Sequence, residues 1–504
     1  MLRHALRGQR SGPRNFWWCS AFVTLAAVEA LVLGRDPVDS GTVARFAAMP
    51  CRVDLHPDVA DAVRVNSAEA SAAAATGAAY GRTTGVGANR DVAADDSDDL
   101  HGMRLVRSHA TGAGAMLGVE VGRATMLIRA HQLAAPGSGL PLEVLEGLVA
   151  AIGDGRVPPV RALGGIGTGD IAVLGEVALC LLGERPWLDG EVHAYIGHIG
   201  GNAALAFMSS SAPTLAAAAL AADSLRRLTG SSLLVAAMGL AAIRANPQQW
   251  STAAVAARPS GSVGDVASTL RRTLDGSRWD SARTQDPLSW RTIPYVAGPF
   301  LQAVDELCRE VDACIDARAE NPRFSDGAVW HHGAFMLTSL GLRLDAARLA
   351  LAQWTSTSLA RLVKLHDPAY TGQRRFLAAG PDGSSGHMVL EYTAASALDS
   401  VRTLAEPCSR GTVTISIGNE DHASFSSRAA VAAMEAVRCA EVAVACELLS
   451  AARALRSAEG VVTGAPLAAV LAHCDGLAQQ AEDHQLVDEV QRALTVLEAL
   501  SVLA

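Results

Sequence analysis

The sequence has almost no lysine, few aromatic residues, no paired-cysteine motif and no long unbroken apolar run. Lys364 is the only lysine in 504 residues, so the basic charge is carried by arginine. With a net charge of −9, and no arginine-rich window free of Asp or Glu beyond the first fifteen residues, the chain offers no electropositive face to a nucleic acid. The nine cysteines are scattered, without a CxxC pair or histidines at finger spacing, which excludes a disulfide framework and a zinc finger and fits a reducing, cytoplasmic setting. The apolar stretch Phe16 to Leu33 follows Arg3, Arg7, Arg10 and Arg14, as a secretory leader would. Ser20, Thr24 and Glu29 break it, and Val28-Glu29-Ala30 makes a poor cleavage site, so it reads as an N-terminal extension and not as a membrane span.

Aromatic residues make up 4 % of the chain against 50 % hydrophobic residues, mostly Ala and Leu. That balance favours helices over sheets, because Ala and Leu lose little conformational freedom in a helix. Helical periodicity runs over Leu105 to Leu133, Pro141 to Ile152, Ile171 to Leu182, Ala203 to Leu228, Ser231 to Ala245, Val296 to Ala319, Gly333 to Leu365, Gly386 to Leu404 and Ser424 to Leu455. Several of these exceed the roughly 8–20 residues of an ordinary globular helix, which predicts a mainly α bundle of long rods. Their faces are too apolar for a lone monomer, so a closed symmetric oligomer is expected.

Between the rods lie segments with chemical content. Tyr80-Gly-Arg-Thr-Thr-Gly-Val-Gly opens an acidic, Gly-rich loop over Gly85 to Asp99, whose glycines suit a mobile lid carrying Tyr80. Gly164-Gly-Ile-Gly-Thr-Gly-Asp170 directly precedes a helix, where free N–H groups and the helix dipole favour negative charge. It lacks a GK[ST] ending and strand-helix-strand surroundings, so nucleotide binding is not expected. His331 and His332, if helical, point to different sides and have no third ligand nearby, so no metal site is expected. Glu420, Asp421 and His422 suit a helix N-cap cluster as well as a site.

Four segments, in this order along the chain, resemble signatures of the aromatic amino acid ammonia-lyases of the histidine ammonia-lyase type: the Tyr80 segment, Leu105-Val-Arg-Ser-His-Ala-Thr-Gly-Ala-Gly114, Gln285-Asp-Pro-Leu-Ser-Trp-Arg291 and Gly418-Asn-Glu-Asp-His-Ala-Ser424. The resemblance covers residues 25 to 460. It implies an aspartase/fumarase-like homotetramer, with an N-terminal extension over 1–24, a lid-bearing domain over 25–215 and a long-helix domain over 216–504. It also implies an aromatic amino acid or analogue as small-molecule substrate, with neither nucleic acid nor membrane as partner.

Such an enzyme removes a barely acidic β-proton and expels an amine, a poor leaving group. The resemblance makes Tyr80 the base, a tyrosinate whose pKa surrounding positive dipoles would lower, and Arg291 the bidentate carboxylate clamp. It places Glu420 near the amine, with His109, Gln285, Leu288 and His331 lining the substrate site. The family's electrophile is a methylidene-imidazolone (MIO), closed from its own Ala-Ser-Gly triplet with loss of two waters, so no external cofactor is implied. With Asp170 in register, Gly167-Thr168-Gly169 stands at the triplet. Thr168 keeps a β-hydroxyl for an MIO-like group, at the cost of an extra methyl on the carbon to be attacked.

The residues that serve the electrophile change together. Ser209 replaces an asparagine, Leu288 a second tyrosine and His331 a phenylalanine of the family pattern. The leading expectation is an ammonia-lyase or aminomutase-like enzyme. The alternatives are an MIO-independent lyase or isomerase on the same scaffold, on a substrate with a more acidic proton or a better leaving group, or a non-catalytic relative.

Overall fold

A computed structural model of the chain describes residues 30–95, 97, 100–478 and 482–503. The expected extension over 1–24, with most of the leader-like stretch, lies outside the described residues; its end, Ala30–Leu33, is strand β1, parallel to β2 (Arg52–Leu55). The rest is mainly helix. The expected helix over Leu105 to Leu133 is interrupted: Gly114 and Gly118, at φ +83° and +100°, admit backbone that side chains resist. Gly114 lies within β3 (Ala113–Met116), antiparallel to β4 (Arg161–Leu163), and after Gly118 the helix resumes as α1 (Val119–Leu133). A short hairpin, β5 (Arg323–Ser325) with β6 (Ala328–Trp330), puts His331 and His332 in a loop and not on a helix.

Six further helices position the site. They are α2 (Ile171–Leu181), α3 (Ala212–Ala242), α4 (Ile293–Ile315), α5 (Thr338–Leu365), α6 (Met388–Leu404) and α7 (Ser426–Arg456). Two of the expected segments merge: α3 runs 31 residues through Thr229-Gly230, because packing on every side outweighs the glycine's cost of about 1 kcal/mol. Its real start is set by Ser209-Ser210-Ser211, where the Ser210 hydroxyl accepts the Ala212 N–H at 3.0 Å and ends the short helix Ala204–Met208. The expected division after residue 215 falls inside α3, and one apolar cluster extends from Leu31 to Leu500. Ala204–Ala242 is long and apolar enough to cross a membrane, but 89 % of its apolar window is buried inside the protein, as befits a central rod.

Contacts at both ends fix the direction of the rods. Thr214 at the start of α3 donates to Asp170, Leu337 before α5 donates to the Gly167 carbonyl, and Phe425 before α7 donates to the Ile166 carbonyl. At the far ends, Gly239 of α3 and Arg361 of α5 both abut Trp290, and Arg361 pairs with Glu447 of α7. Thus α3, α5 and α7 run parallel, and α4 runs back from Ile293, next to Trp290, toward Asn321.

The Arg361–Glu447 pair is fully buried, with Arg361 Nε 2.6 Å and Nη2 2.9 Å from the two carboxylate oxygens and the guanidinium 4.4 Å from the Trp354 ring centre. Buried charges are tolerated only when so paired. Glu447→Ala, which strands the guanidinium, is expected to cost about 3–5 kcal/mol in chemical denaturation, and Arg361→Met/Glu447→Leu to recover most of it. Equal losses in the single and double variants would contradict this account.

Candidate active site

The loop Gly164 to Gly169 is sewn to the start of α7. Phe425 N–H donates to the Ile166 carbonyl at 2.9 Å, Ser427 Oγ to Gly165 O at 2.7 Å and Ser424 Oγ to Gly167 O at 3.0 Å. Gly167 and Gly169 lie at φ +85° and +106°, so the residues flanking Thr168 must be glycines for this backbone to form without strain. Asp170 closes the loop: its N–H donates to Ser210 O at 2.8 Å and its carboxylate accepts the Thr214 N–H at 2.8 Å. Burial, only partly offset by that N–H, pushes the Asp170 carboxyl up to about 6.

The Tyr80 loop docks on the Ile415–Glu420 segment and on His331. Thr84 bridges to Ala93, Gly85 N–H donates to Val92 O, and Ala88 N–H donates to Ser416 Oγ at 3.0 Å. The described part of the expected mobile lid is therefore pinned to the hairpin of Ile415 and Glu420. The Tyr80 hydroxyl accepts the Gly87 N–H at 2.7 Å, and the Tyr80 N–H meets His331 Nε2 at 3.3 Å. Burial raises the Tyr80 phenol above its ordinary pKa; the Gly87 N–H opposes this, the Glu420 carboxylate adds to it and Arg90 offsets part. The lowered pKa expected from positive dipoles is thus not produced by this chain alone.

Ser209 is occupied structurally. Its Oγ accepts the Asn321 N–H at 2.9 Å and faces Asn321 O at 3.3 Å, while Asn321 Oδ1 accepts the His332 N–H at 2.9 Å. His109, at the end of the helix His101–His109, holds its Nδ1 2.8 Å from Leu105 O, and its backbone packs against Gly175 of α2. Glu420, Asp421 and His422 cap no helix: α7 starts at Ser426, after Phe425 at φ +48°. Tyr80, Thr168, Asp170, Ser209, His331 and Glu420 therefore share one end of the bundle, with His109 beside the base of the triplet loop.

Gln285, Leu288 and Arg291 do not join them. Arg291 donates to Gln285 Oε1 at 2.8 Å on an exposed turn, Leu288 is 62 % exposed, and Trp290 between them is buried against Gly239. The stretch of α3 from Thr214 to Gly239 separates the two groups by about 37 Å at the helical rise per residue. Within one chain these residues form two groups at opposite ends of the bundle.

This divided arrangement can be set beside known proteins. A model of the aromatic amino acid lyase family matches residues 38–475. The chain belongs to the aromatic amino acid lyase family. A histidine ammonia-lyase of Geobacillus thermodenitrificans is 31 % identical over 471 residues, covering 90 % of each chain, which supports a carbon–nitrogen lyase. In structure the chain is similar to the ergothioneine-degrading ergothionase of Treponema denticola, with a TM-score of 0.84, 23 % identity and coverage of 94 % of this chain and 99 % of that one. It is also similar to a tyrosine aminomutase of Streptomyces globisporus, with a TM-score of 0.85, 21 % identity and coverage of 94 % and 97 %. The fold is that of the aspartase/fumarase-like helical lyases.

An alanine at Gly167, the first residue of the family's triplet, does not fit this backbone without a shift of its neighbours. A Cβ on Gly167 would stand 2.0 Å from Ser424 Oγ, 2.8 Å from Ser426 Oγ and 3.0 Å from Phe425 N, at a φ that L-residues avoid. Ser209, in the place of the family's asparagine, is spent on the Asn321 backbone. Sequence reading missed Ser424 as a partner of the triplet, although it closes the Gly418–Ser424 motif. It also missed Arg129, whose signal was a charge set directly in the apolar run Met126-Leu-Ile-Arg-Ala130 of α1.

Gly167→Ala should lower the melting temperature, and Ser424→Gly should relieve part of that loss, since residues in contact are not additive. Thermal melts of both single variants and the double variant check this; strictly additive shifts would mean that Ser424 is not what excludes the methyl.

Proposed function

We propose that this protein is a carbon–nitrogen lyase that eliminates an amine from an amino acid derivative by a base-and-clamp mechanism without an internal electrophile. The observation that carries the reading is the hydroxyl of Ser424 in the space where the family's triplet needs a methyl, beside a retained Tyr80 and Glu420. Tyr80, as phenolate, takes the β-proton; the C–H electron pair forms the carbon–carbon double bond, and the C–N pair leaves with the amine. Without an electrophile the amine must leave readily by itself. A quaternary ammonium does so, departing as a neutral tertiary amine. Its fixed positive charge beside Tyr80 and Glu420 would also lower the phenol's pKa, which the chain alone does not. Ergothioneine, which one structural neighbour degrades, is a betaine of this kind.

The carboxylate clamp belongs to a second copy. Arg291 and Gln285 sit at the wrong end of their own bundle, and the face of α5 and α6 toward solvent carries Leu342, Leu349, Val389 and Tyr392, each 49–70 % exposed. Antiparallel pairing of such faces in a homotetramer buries these side chains and carries one copy's Arg291 toward another's Tyr80. Tyr80→Phe is expected to lose about 10²–10⁴-fold in kcat, the usual contribution of a positioned base, on whichever of histidine and its N,N,N-trimethyl betaines is turned over. Arg291→Ala should also be inactive, yet co-expression of the two variants should restore part of the activity, because a mixed oligomer contains some sites with both residues intact. Undiminished turnover by Tyr80→Phe sinks the base role, and failure of the mixture to recover sinks the shared site.

A second reading keeps an electrophile closed from Gly167-Thr168-Gly169, because the Gly167 carbonyl accepts both the Ser424 hydroxyl and the Leu337 N–H, which polarise it. Intact-protein and peptide mass spectrometry decides: loss of two waters localised to residues 167–169 supports this reading, and the unmodified mass excludes it.

A further inference from the structure

Two networks run from the buried guanidinium of Arg129 to the two sides of the candidate site. Arg129 lies in the apolar helix α1, and its side chain is fully buried. Its Nε donates to Phe207 O at 2.9 Å and its Nη2 to Ala206 O, so two carbonyls at the end of the short helix before Ser209 are held directly. Its Nη1 donates to Gln132 Oε1 at 3.1 Å and to Glu320 Oε1 at 3.0 Å.

Each of these partners leads onward. Gln132 Oε1 also accepts the Ser210 hydroxyl at 2.6 Å, and the Ser210 carbonyl accepts the Asp170 N–H, the closing bond of the Thr168 loop. Glu320 precedes Asn321, which binds Ser209 and His332; the adjacent His331 meets the Tyr80 N–H. The planar fork of a guanidinium can hold four acceptors in fixed directions, which an ammonium cannot. A charge buried at such desolvation cost, with two donors on the carbonyls of the short helix before Ser209 and a third on the side chains of Gln132 and Glu320, ties these segments to one another.

We propose that Arg129 is a positioning residue, which fixes the Thr168–Asp170 loop relative to the Tyr80–His331 side of the site. The inference rests on the lyase reading for its kinetic consequence only; the coupling of the loops stands on its own. Three variants test it in the full-length protein: Arg129→Lys, which keeps the charge but not the fork; Glu320→Gln, a milder change should the first not fold; and Leu497→Ala, a core truncation in the C-terminal helix Val487–Leu500 as a stability control.

Hydrogen exchange is expected to quicken in peptides covering 164–170, 206–212 and 320–332 for Arg129→Lys and Glu320→Gln, but not in 285–292 and not in the control. On a substrate that the wild type turns over, both variants should lose on the order of 10- to 100-fold in kcat, as small misplacement of reacting groups does, with KM changed much less. Exchange that rises evenly over the chain, or matches that of Leu497→Ala, overturns the positioning role. So does an unchanged kcat in a folded Arg129→Lys. Should the wild type turn over nothing, the lyase reading fails while the exchange pattern still decides the role of Arg129.

Discussion

Three parallel helices of 31, 28 and 31 residues cannot bend their two ends together, and the rest of the molecule follows from that constraint. The helix α3 is buried along nearly its whole length, so its stiffness is reinforced by every neighbour. Whatever is attached at its start, the Thr168 loop and Ser209, stays about 37 Å from what is attached at its end, Trp290 and Arg291. A chemistry that needs both ends needs more than one copy of the chain.

Within the end that holds Tyr80, the loops are held by hydrogen bonds between hydroxyl side chains and backbone groups. The triplet loop carries glycines at positive φ, and its carbonyls at residues 165, 166 and 167 are satisfied by the α7 start. The Tyr80 loop is satisfied by Ser416 and its own Gly87. Arg129 joins the supports of both. Such a site resists small shifts, and this is the property a positioned base requires.

The altered triplet is part of the same packing. Ser424 fills the space beside Gly167, and Ser209 ties down Asn321, so the replacements are mutually consistent. An alanine at Gly167 would meet the Ser424 hydroxyl.

Much of this was legible in the residues. The mainly α rods followed from Ala/Leu content and period, the family from the segments at Tyr80, Leu105, Gln285 and Gly418, and the departure at Gly167-Thr168-Gly169 from the triplet itself, because all are local patterns. The strand at Ala113–Met116 was hidden because its glycines break a helix only when β4 is there to pair with. Arg129 was hidden because its partners lie 78 and 191 residues away. Sequence alone determined which chemical groups the chain carries and which rods it forms. Tertiary structure alone decided which end of a rod each group occupies, why Gly167 admits no methyl, and that Tyr80 by itself is buried as a weaker acid, since direction, contact and desolvation are properties of packed neighbours distant along the chain.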